Sequence, residues 1–361
     1  MKGDKSKMKY KMLHNAGVEV SQLAVGTWAI GGANYGPVND DDSVAAIRRM
    51  LELGVNLIDT APAYGDGYSE RIVGRAIKGL PRDKFLISTK CTSIRLPSGG
   101  VAHDATYKNI MREIDRSLEN LGTDYVDFYF IHWPDPETPL HETMAAMETL
   151  RKMGKIRFIG LSNHSVALTE EAMKWAKIDV FQPPYSLVER GAKDLMEWGL
   201  ARGIDSFTYG SIGSGILSGK YRTLPQMDPK DFRLGFYNYY TEPNFSKIQE
   251  LLKVMDKIAE RHNATDAQVA INWVRSHDFA GTALVGVKNV KQAEDNCAAL
   301  NWDLDAEDMA MLDEALAVMG PLEYGSSRIQ NSHKKLSGFS RRGWRGSISV
   351  SKIVSSMRDA S

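Results

Sequence analysis

Four side chains that can hold, move or polarise a proton stand at or just past the ends of apolar runs. Asp59 ends "NLID", Tyr64 follows it by five residues, Lys90 ends "KFLISTK", and His132 ends "DYVDFYFIH". A carboxylate and an ammonium set just past buried segments must pair, because an unpaired buried charge is strongly unfavourable. A paired Lys then acts on its neighbour: a cation beside a phenol favours the phenolate and draws a Tyr pKa down from about 10. That makes Tyr64 a candidate acid, with an imidazole nearby as a second hydrogen-bonding group. Taken singly, each has an ordinary reading: Asp59 as a cap, Lys90 as a strand-end cation, Tyr64 as packing, His132 as a satisfied core histidine. Only convergence in space turns the four into a site.

The elements needed for that convergence are legible in a repeated phrase, an amphipathic helix, a glycine and a short apolar strand, as in "RRMLELGVNLIDT" and "RSLENLGTDYVDFYFIH". In the second copy Ile110, Ile114, Leu118 and Leu121 share one helical face, and Gly122 falls where a left-handed C-cap belongs. Strands are expected at 23–27, 57–59, 85–89, 126–131, 156–161, 180–182, 205–209 and 282–287. Helix and strand in alternation mean parallel strands, in an open doubly wound sheet or a closed (β/α)8 TIM barrel. No Gly-x-Gly-x-x-Gly follows an early strand, and the polar residues gather at strand C-terminal ends, so the barrel is favoured. A turn at Asn15-Ala16-Gly17 predicts an N-terminal β-hairpin that plugs or caps it. Residues 1–320 are expected to form the barrel, and 321–361, rich in Gly, Ser and basic residues, a C-terminal extension that is partly ordered at best.

Bulk properties narrow the partners. Lys plus Arg and Asp plus Glu each total 45, so no net field draws in nucleic acid or an anionic membrane. Cys91 and Cys297 are too few for a disulfide framework or a zinc cage, and no run is apolar enough to span a bilayer. The chain reads as cytoplasmic, with a small-molecule partner and no metal.

The phrases "VGTW", "NLIDTAPAYGDGYSERIVGRAIKG", "ISTK", "LGTDYVDFYFIHWPDP", "GKIRFIGLSNHS", "GILSGKY" and "VGVKNVKQAEDN" resemble, in order, the signatures of the aldo-keto reductases. The likeness runs over about residues 8–318 and is strongest to bacterial branches similar to the general-stress and inositol-cluster reductases. It implies a (β/α)8 barrel that binds a nicotinamide dinucleotide and reduces an aldehyde or ketone. Carried over, it makes Tyr64 the proton donor, Lys90 the cation beside it, Asp59 the anchor of Lys90, and His132 the group that orients the carbonyl.

The same resemblance implies that Ser162, Asn163 and Gln182 bond the nicotinamide carboxamide and that Tyr209 stacks on the ring. It puts Gly26, Thr27 and Trp28, the loop residues Gly210, Ile212 and Ser214, and Gly286 along the cofactor. Lys288 and Gln292 fall at the adenosine ribose, and Asp295 with Asn296 at the adenine. A Lys288 contact to a 2′-phosphate predicts NADPH in preference to NADH, with NADH still possible. Trp28 and Trp133 follow strands and can wall a carbonyl pocket. The segment 221–245 is too long for a plain connection, so Phe236, Tyr237, Tyr239 and Tyr240 are read as a lid that shapes substrate choice. Two other functions remain open: a cofactor-binding regulatory barrel like the potassium-channel β-subunits, and a metal-dependent barrel hydrolase, for which the converging histidines are missing.

Overall fold

The periodic helices and short apolar strands close into a cylinder. The computed structural model describes residues 8–32, 38–95, 101–229 and 231–323. Its strands, in chain order, are β1 (Tyr10–Met12), β2 (Glu19–Ser21), β3 (Leu23–Gly26), β4 (Leu57–Asp59), β5 (Leu86–Cys91), β6 (Ser93–Arg95), β7 (Val101–His103), β8 (Val126–Ile131), β9 (Ile156–Ser162), β10 (Val180–Gln182), β11 (Asp205–Thr208) and β12 (Thr282–Gly286). Eight of them form a closed barrel in the order β10-β11-β12-β3-β4-β5-β8-β9, every pairing parallel. All eight expected strands are present, each within two residues of its expected ends.

The helices keep the strands apart and set their register. Helix Tyr107–Leu121 shows how: Thr106 caps its first turn by accepting from the Asn109 N–H, and Ile110, Ile114 and Leu121 are fully buried. Gly122 ends it with φ 65°, its N–H returning to the Leu118 carbonyl. The chain then turns directly into β8, so the helix fixes where that strand ends.

The predicted hairpin is β1–β2, paired Tyr10 to Ser21. Leu13 and Val20 enter the bottom of the barrel beside Phe128, Phe130, Phe207 and Leu284. Lys11 and the His14 backbone hold Asp205, the first residue of β11. The N-terminal end is therefore filled with apolar side chains, and among the described residues the C-terminal mouth is the end that gathers polar groups. Gly160 is required by this filling, because a Cβ there would come within 2.3 Å of the Phe130 ring.

The chain stays with the barrel to the end of the described region. Leu322 is buried in the core, and the Glu323 backbone exchanges two hydrogen bonds with the Asn244 side chain, at 2.7 and 2.8 Å. The remainder of the expected extension, 324–361, lies outside the described residues. Among them, no helix is long and apolar enough to cross a membrane.

Candidate active site

Asp59 is the last residue of β4, and the Thr27 backbone and hydroxyl both donate to its carbonyl, at 3.1 and 2.8 Å. Its carboxylate is buried and points into the mouth, where Oδ1 accepts from the Ser88 hydroxyl at 2.7 Å and Gln182 Nε2 at 2.8 Å. Lys90, on the neighbouring strand β5, is 1% exposed and donates to both Asp59 oxygens, at 2.8 and 3.0 Å, and to the Thr60 carbonyl at 2.8 Å. Its remaining contact is the Tyr64 hydroxyl, 3.1 Å away.

Tyr64 is carried by the tight turn after β4. Its N–H bonds the Ala61 carbonyl, its own carbonyl accepts from Ser69, and the turn leans on Gly31 so closely that a Cβ there would lie 2.7 Å from Tyr64 backbone carbon. His132 follows β8, tied to the Cys91 carbonyl by its N–H at 3.1 Å. Its ring stands edge-on to that of Tyr64, centres 6.0 Å apart at 80°. Four chain positions spread over 74 residues thus meet at one point of the rim.

The electrostatics correct one expectation. Lys90 does not draw the phenol toward neutral pH: burial first, and the Asp59 carboxylate second, hold Tyr64 well above its ordinary 10.0. Both causes favour the neutral phenol, so it stays protonated. Burial lowers Lys90 from its ordinary value, outweighing the pull of Asp59. His132 is held well below 6.5 by burial, then by the Lys90 charge and by His103, so it is a neutral imidazole.

Across the mouth, the other sequence-derived residues form a connected polar wall. Ser162 ends β9 and donates to the Gln182 carbonyl at 2.8 Å. Asn163, at φ 59°, donates to the His132 carbonyl and to Ser162 Oγ, at 2.9 and 3.0 Å, and accepts from the Tyr209 hydroxyl at 2.9 Å. Gly210 and Ile212 lead into three consecutive residues of positive φ: Gly213 at 56°, Ser214 at 54° and Gly215 at 96°. Within this run the Gly213 and Gly215 N–H groups are bonded to the Gly210 and Ile212 carbonyls, at 2.7 and 3.0 Å, so the backbone forms a tight left-handed turn at the rim. Tyr240 of the long loop closes over it, its hydroxyl donating to the Ser214 carbonyl at 3.0 Å.

Past β12, the Lys288 N–H bonds Gln292 Oε1 at 2.8 Å, and Asn296 donates to the Gly286 carbonyl at 3.4 Å. Asp295 turns instead toward helix Asp266–Arg275, accepting from Gln268 at 2.8 Å and from the Thr265 hydroxyl at 3.1 Å. Trp28 covers the acid side: its ring stacks on Tyr64 at 6.2 Å and meets Phe236 at 5.4 Å and Tyr237 at 6.4 Å. Tyr237 and Tyr239 are buried and stack on each other at 5.0 Å. Trp133 lies apart from this group, against His103 at 6.2 Å.

Sequence reasoning missed Ser88, on the Asp59 carboxylate, and two cations, Lys220 just before the long loop and Arg233 within it. Burial lowers Lys288, and after burial the charges of Arg233 and Lys220 lower it further, so three cations share one corner of the cleft. Arg233 is itself gripped by Asp231 at 2.7 Å and bonds the Tyr221 hydroxyl at 3.1 Å. The signals were the Lys of "SGKY", in a phrase read for its glycines, and the Arg of "DFR", in a segment read for its aromatics.

Residues 22–317 match the model of the aldo/keto reductase family. The chain is 35% identical over 304 residues to the Bacillus subtilis aldo-keto reductase YhdN, covering 83% of this chain and 91% of that protein. It is 32% identical over 329 residues to an Escherichia coli protein named NADH-specific methylglyoxal reductase, covering 85% and 98%. The solved glycerol dehydrogenase AKR11B4 of Gluconobacter oxydans superposes with a TM-score of 0.79 at 30% identity, over 90% of this chain and 98% of that one. The chain therefore belongs to the aldo-keto reductase family and is an NAD(P)H-dependent oxidoreductase.

Proposed function

We propose that this chain reduces a small aldehyde or ketone to the alcohol, with Tyr64 giving the proton, and that it prefers NADPH. The observation that carries the reading is the Lys90 ammonium, 3.1 Å from the Tyr64 hydroxyl and 2.8 Å from Asp59. The nicotinamide cofactor supplies the hydride. As negative charge develops on the carbonyl oxygen, the protonated Tyr64 donates to it from one side and the neutral His132 imidazole from the other. Lys90, 3.1 Å from the same oxygen, then faces the phenolate left behind and stabilises its charge. Donors fixed before the reaction favour the transition state over the ground state, since they need no reorganisation.

The residues fit the cofactor. The glycine turn after β11 lets a phosphate approach the backbone closely, the cations Lys220, Arg233 and Lys288 suit a 2′-phosphate, and the Ser162–Asn163–Gln182 wall suits an amide. Three cations in one corner favour a 2′-phosphate, and hence NADPH, although a relative is named for NADH. Trp28, Phe236 and Tyr237 supply an apolar wall for a small substrate, and Trp133, beside His132 in the chain, stands apart from it against His103. Cys91 and Cys297 are free and buried, which agrees with work in the reducing cytoplasm.

The test mixes the protein with NADPH and a panel of aldehydes, ketones and sugar-derived carbonyls, and follows oxidation of the cofactor. Wild type turns over, and Tyr64→Phe falls by about 100-fold or more with cofactor binding intact. A Tyr64→Phe variant as fast as wild type would remove Tyr64 as the donor. Cofactor binding without turnover on any carbonyl would favour the regulatory barrel.

A further inference from the structure

The acid side and the cofactor wall are joined by one side chain. In the ring of eight strands, β10 is four places from β4 in either direction, so Gln182 and Asp59 come from opposite walls. They nevertheless meet at 2.8 Å, in a contact between residues 123 positions apart. An ionised carboxylate only accepts, so the amide nitrogen of Gln182 is the group that faces it. The Gln182 side chain is buried, and no other hydrogen bond is made to its Oε1 among the described residues. Its backbone is held as well, because its carbonyl accepts from Ser162 Oγ, which itself accepts from Asn163. A continuous path therefore runs from the Tyr209 hydroxyl through Asn163, Ser162 and Gln182 to Asp59, Lys90 and Tyr64.

We propose that Gln182 is a positioning residue of the acid side: its amide nitrogen, reaching across the barrel, holds the Asp59 carboxylate beneath Lys90, and only its oxygen is left to receive the amide N–H of a bound carboxamide. This rests on the carbonyl-reduction reading and adds to it. Gln182 does not present both amide atoms to the cofactor. It presents one, and the other sets the charge that Lys90 and Tyr64 feel. With Ser88 and Lys90 also donating to the same oxygen, Asp59 Oδ1 is saturated. Removing the Gln182 donor returns negative charge toward Tyr64.

The decisive experiment needs no cofactor. Gln182→Glu sets a second carboxylate against Asp59, and the two can share the site only while one proton lies between them. The new group has a raised folded-state pKa, so its contribution is intact below the unfolded carboxylate range and is lost as pH rises. Melting of wild type and Gln182→Glu is followed from pH 5 to pH 8. The gap is expected to widen by several degrees toward pH 8, and adding Asp59→Asn to the variant is expected to narrow it again. A gap independent of pH, or a double variant no more stable than the single one, overturns the proposal. For the ligand half, calorimetry with NADPH is expected to show about tenfold weaker binding to Gln182→Met, the loss of one hydrogen bond. Unchanged affinity would overturn that half. If Tyr64→Phe kept full turnover while Gln182→Glu showed the pH effect, the donor assignment would fail and the cross-barrel tie would stand.

Discussion

The Lys90 ammonium lies 3.1 Å from the Tyr64 hydroxyl and 4.8 Å from the centre of its ring. It thus sits beside the oxygen and partly beneath the aromatic face, so its charge is felt both before and after the phenol gives up a proton. Lys90→Met keeps much of the volume and removes the charge. Turnover is expected to fall at least 100-fold, as for removal of a preorganised electrostatic donor. The variant leaves the buried Asp59 carboxylate with the neutral Ser88 and Gln182 donors and no cation, so it is expected to lose about 3–5 kcal/mol of stability, and Asp59→Asn/Lys90→Met, which removes both charges, serves as the folded control. Steady-state rates at saturating cofactor, with circular dichroism to check folding, measure both. A folded variant with ordinary turnover would show that the ammonium does not assist the proton transfer.

The corner occupied by Lys288, Arg233 and Lys220 gives a cofactor-specific expectation. A charge-assisted contact to a phosphate is worth about 1.5–3 kcal/mol, roughly 10- to 100-fold in affinity. Lys288→Ala and Arg233→Ala are each expected to weaken NADPH by a factor in that range and to leave NADH within about threefold. Fluorescence titration with both cofactors decides it. Equal losses for the two would assign these cations to the pyrophosphate that both share.

The barrel was legible because β4, β8, β9 and β11 each repeat a short apolar run after a helix and a glycine, a pattern written locally in the chain. The rim was legible because a strand end gives a fixed direction, so Asp59, Lys90 and His132 could be expected to converge once the barrel was assumed. What stayed hidden needs the third dimension. Ser88 shares the face of Lys90, two residues away on a strand that reads as wholly buried, but only the register that pairs it with Asp59 brings its hydroxyl to that carboxylate. Gln182 was legible as an amide ligand, but not as a tie across the barrel, since strands opposite one another share no sequence neighbourhood. The Tyr64 electrostatics were misjudged because the pull of Lys90 was weighed without burial, which is the larger effect.

Gly31 lies in the turn after β3 and touches the backbone that carries Tyr64. An added Cβ would stand 2.7 Å from the Tyr64 carbonyl carbon and 2.9 Å from its oxygen, with no flexible side chain able to yield. Gly31→Ala must therefore push the Tyr64 turn outward by some tenths of an ångström. Hydride and proton transfers are sensitive to such a displacement, so kcat is expected to fall about 10- to 100-fold. The cations Lys220, Arg233 and Lys288 stand on the segments after β11 and β12 and not on the Tyr64 turn that Gly31 touches, so NADPH affinity is expected to stay within about threefold. A fall in affinity with kcat preserved would mean that Gly31 serves the cofactor and not the acid.

Glu113 supplies a pH dependence of stability separate from the chemistry. Its carboxylate accepts from the Thr92 N–H at 2.7 Å and from Asn109 at 3.0 Å, and it holds Thr92 at φ 76° directly after β5. Burial raises its pKa from 4.5 to about 7, Asp104 and Glu70 push the same way, and Thr92 and Arg112 oppose them. A folded-state pKa above the unfolded one means that the stabilising form is the protonated one. Its contribution is complete below about pH 4.5 and is lost as pH rises through about 7. Glu113→Gln keeps an acceptor for Thr92 and removes the charge. The variant is expected to match wild type near pH 5 and to exceed it by about 1–3 kcal/mol at pH 8.5, measured by urea unfolding at both values. A difference that does not change with pH would place Glu113 in contact with water and leave the left-handed Thr92 held by its hydroxyl bond to the Trp133 carbonyl at 2.9 Å.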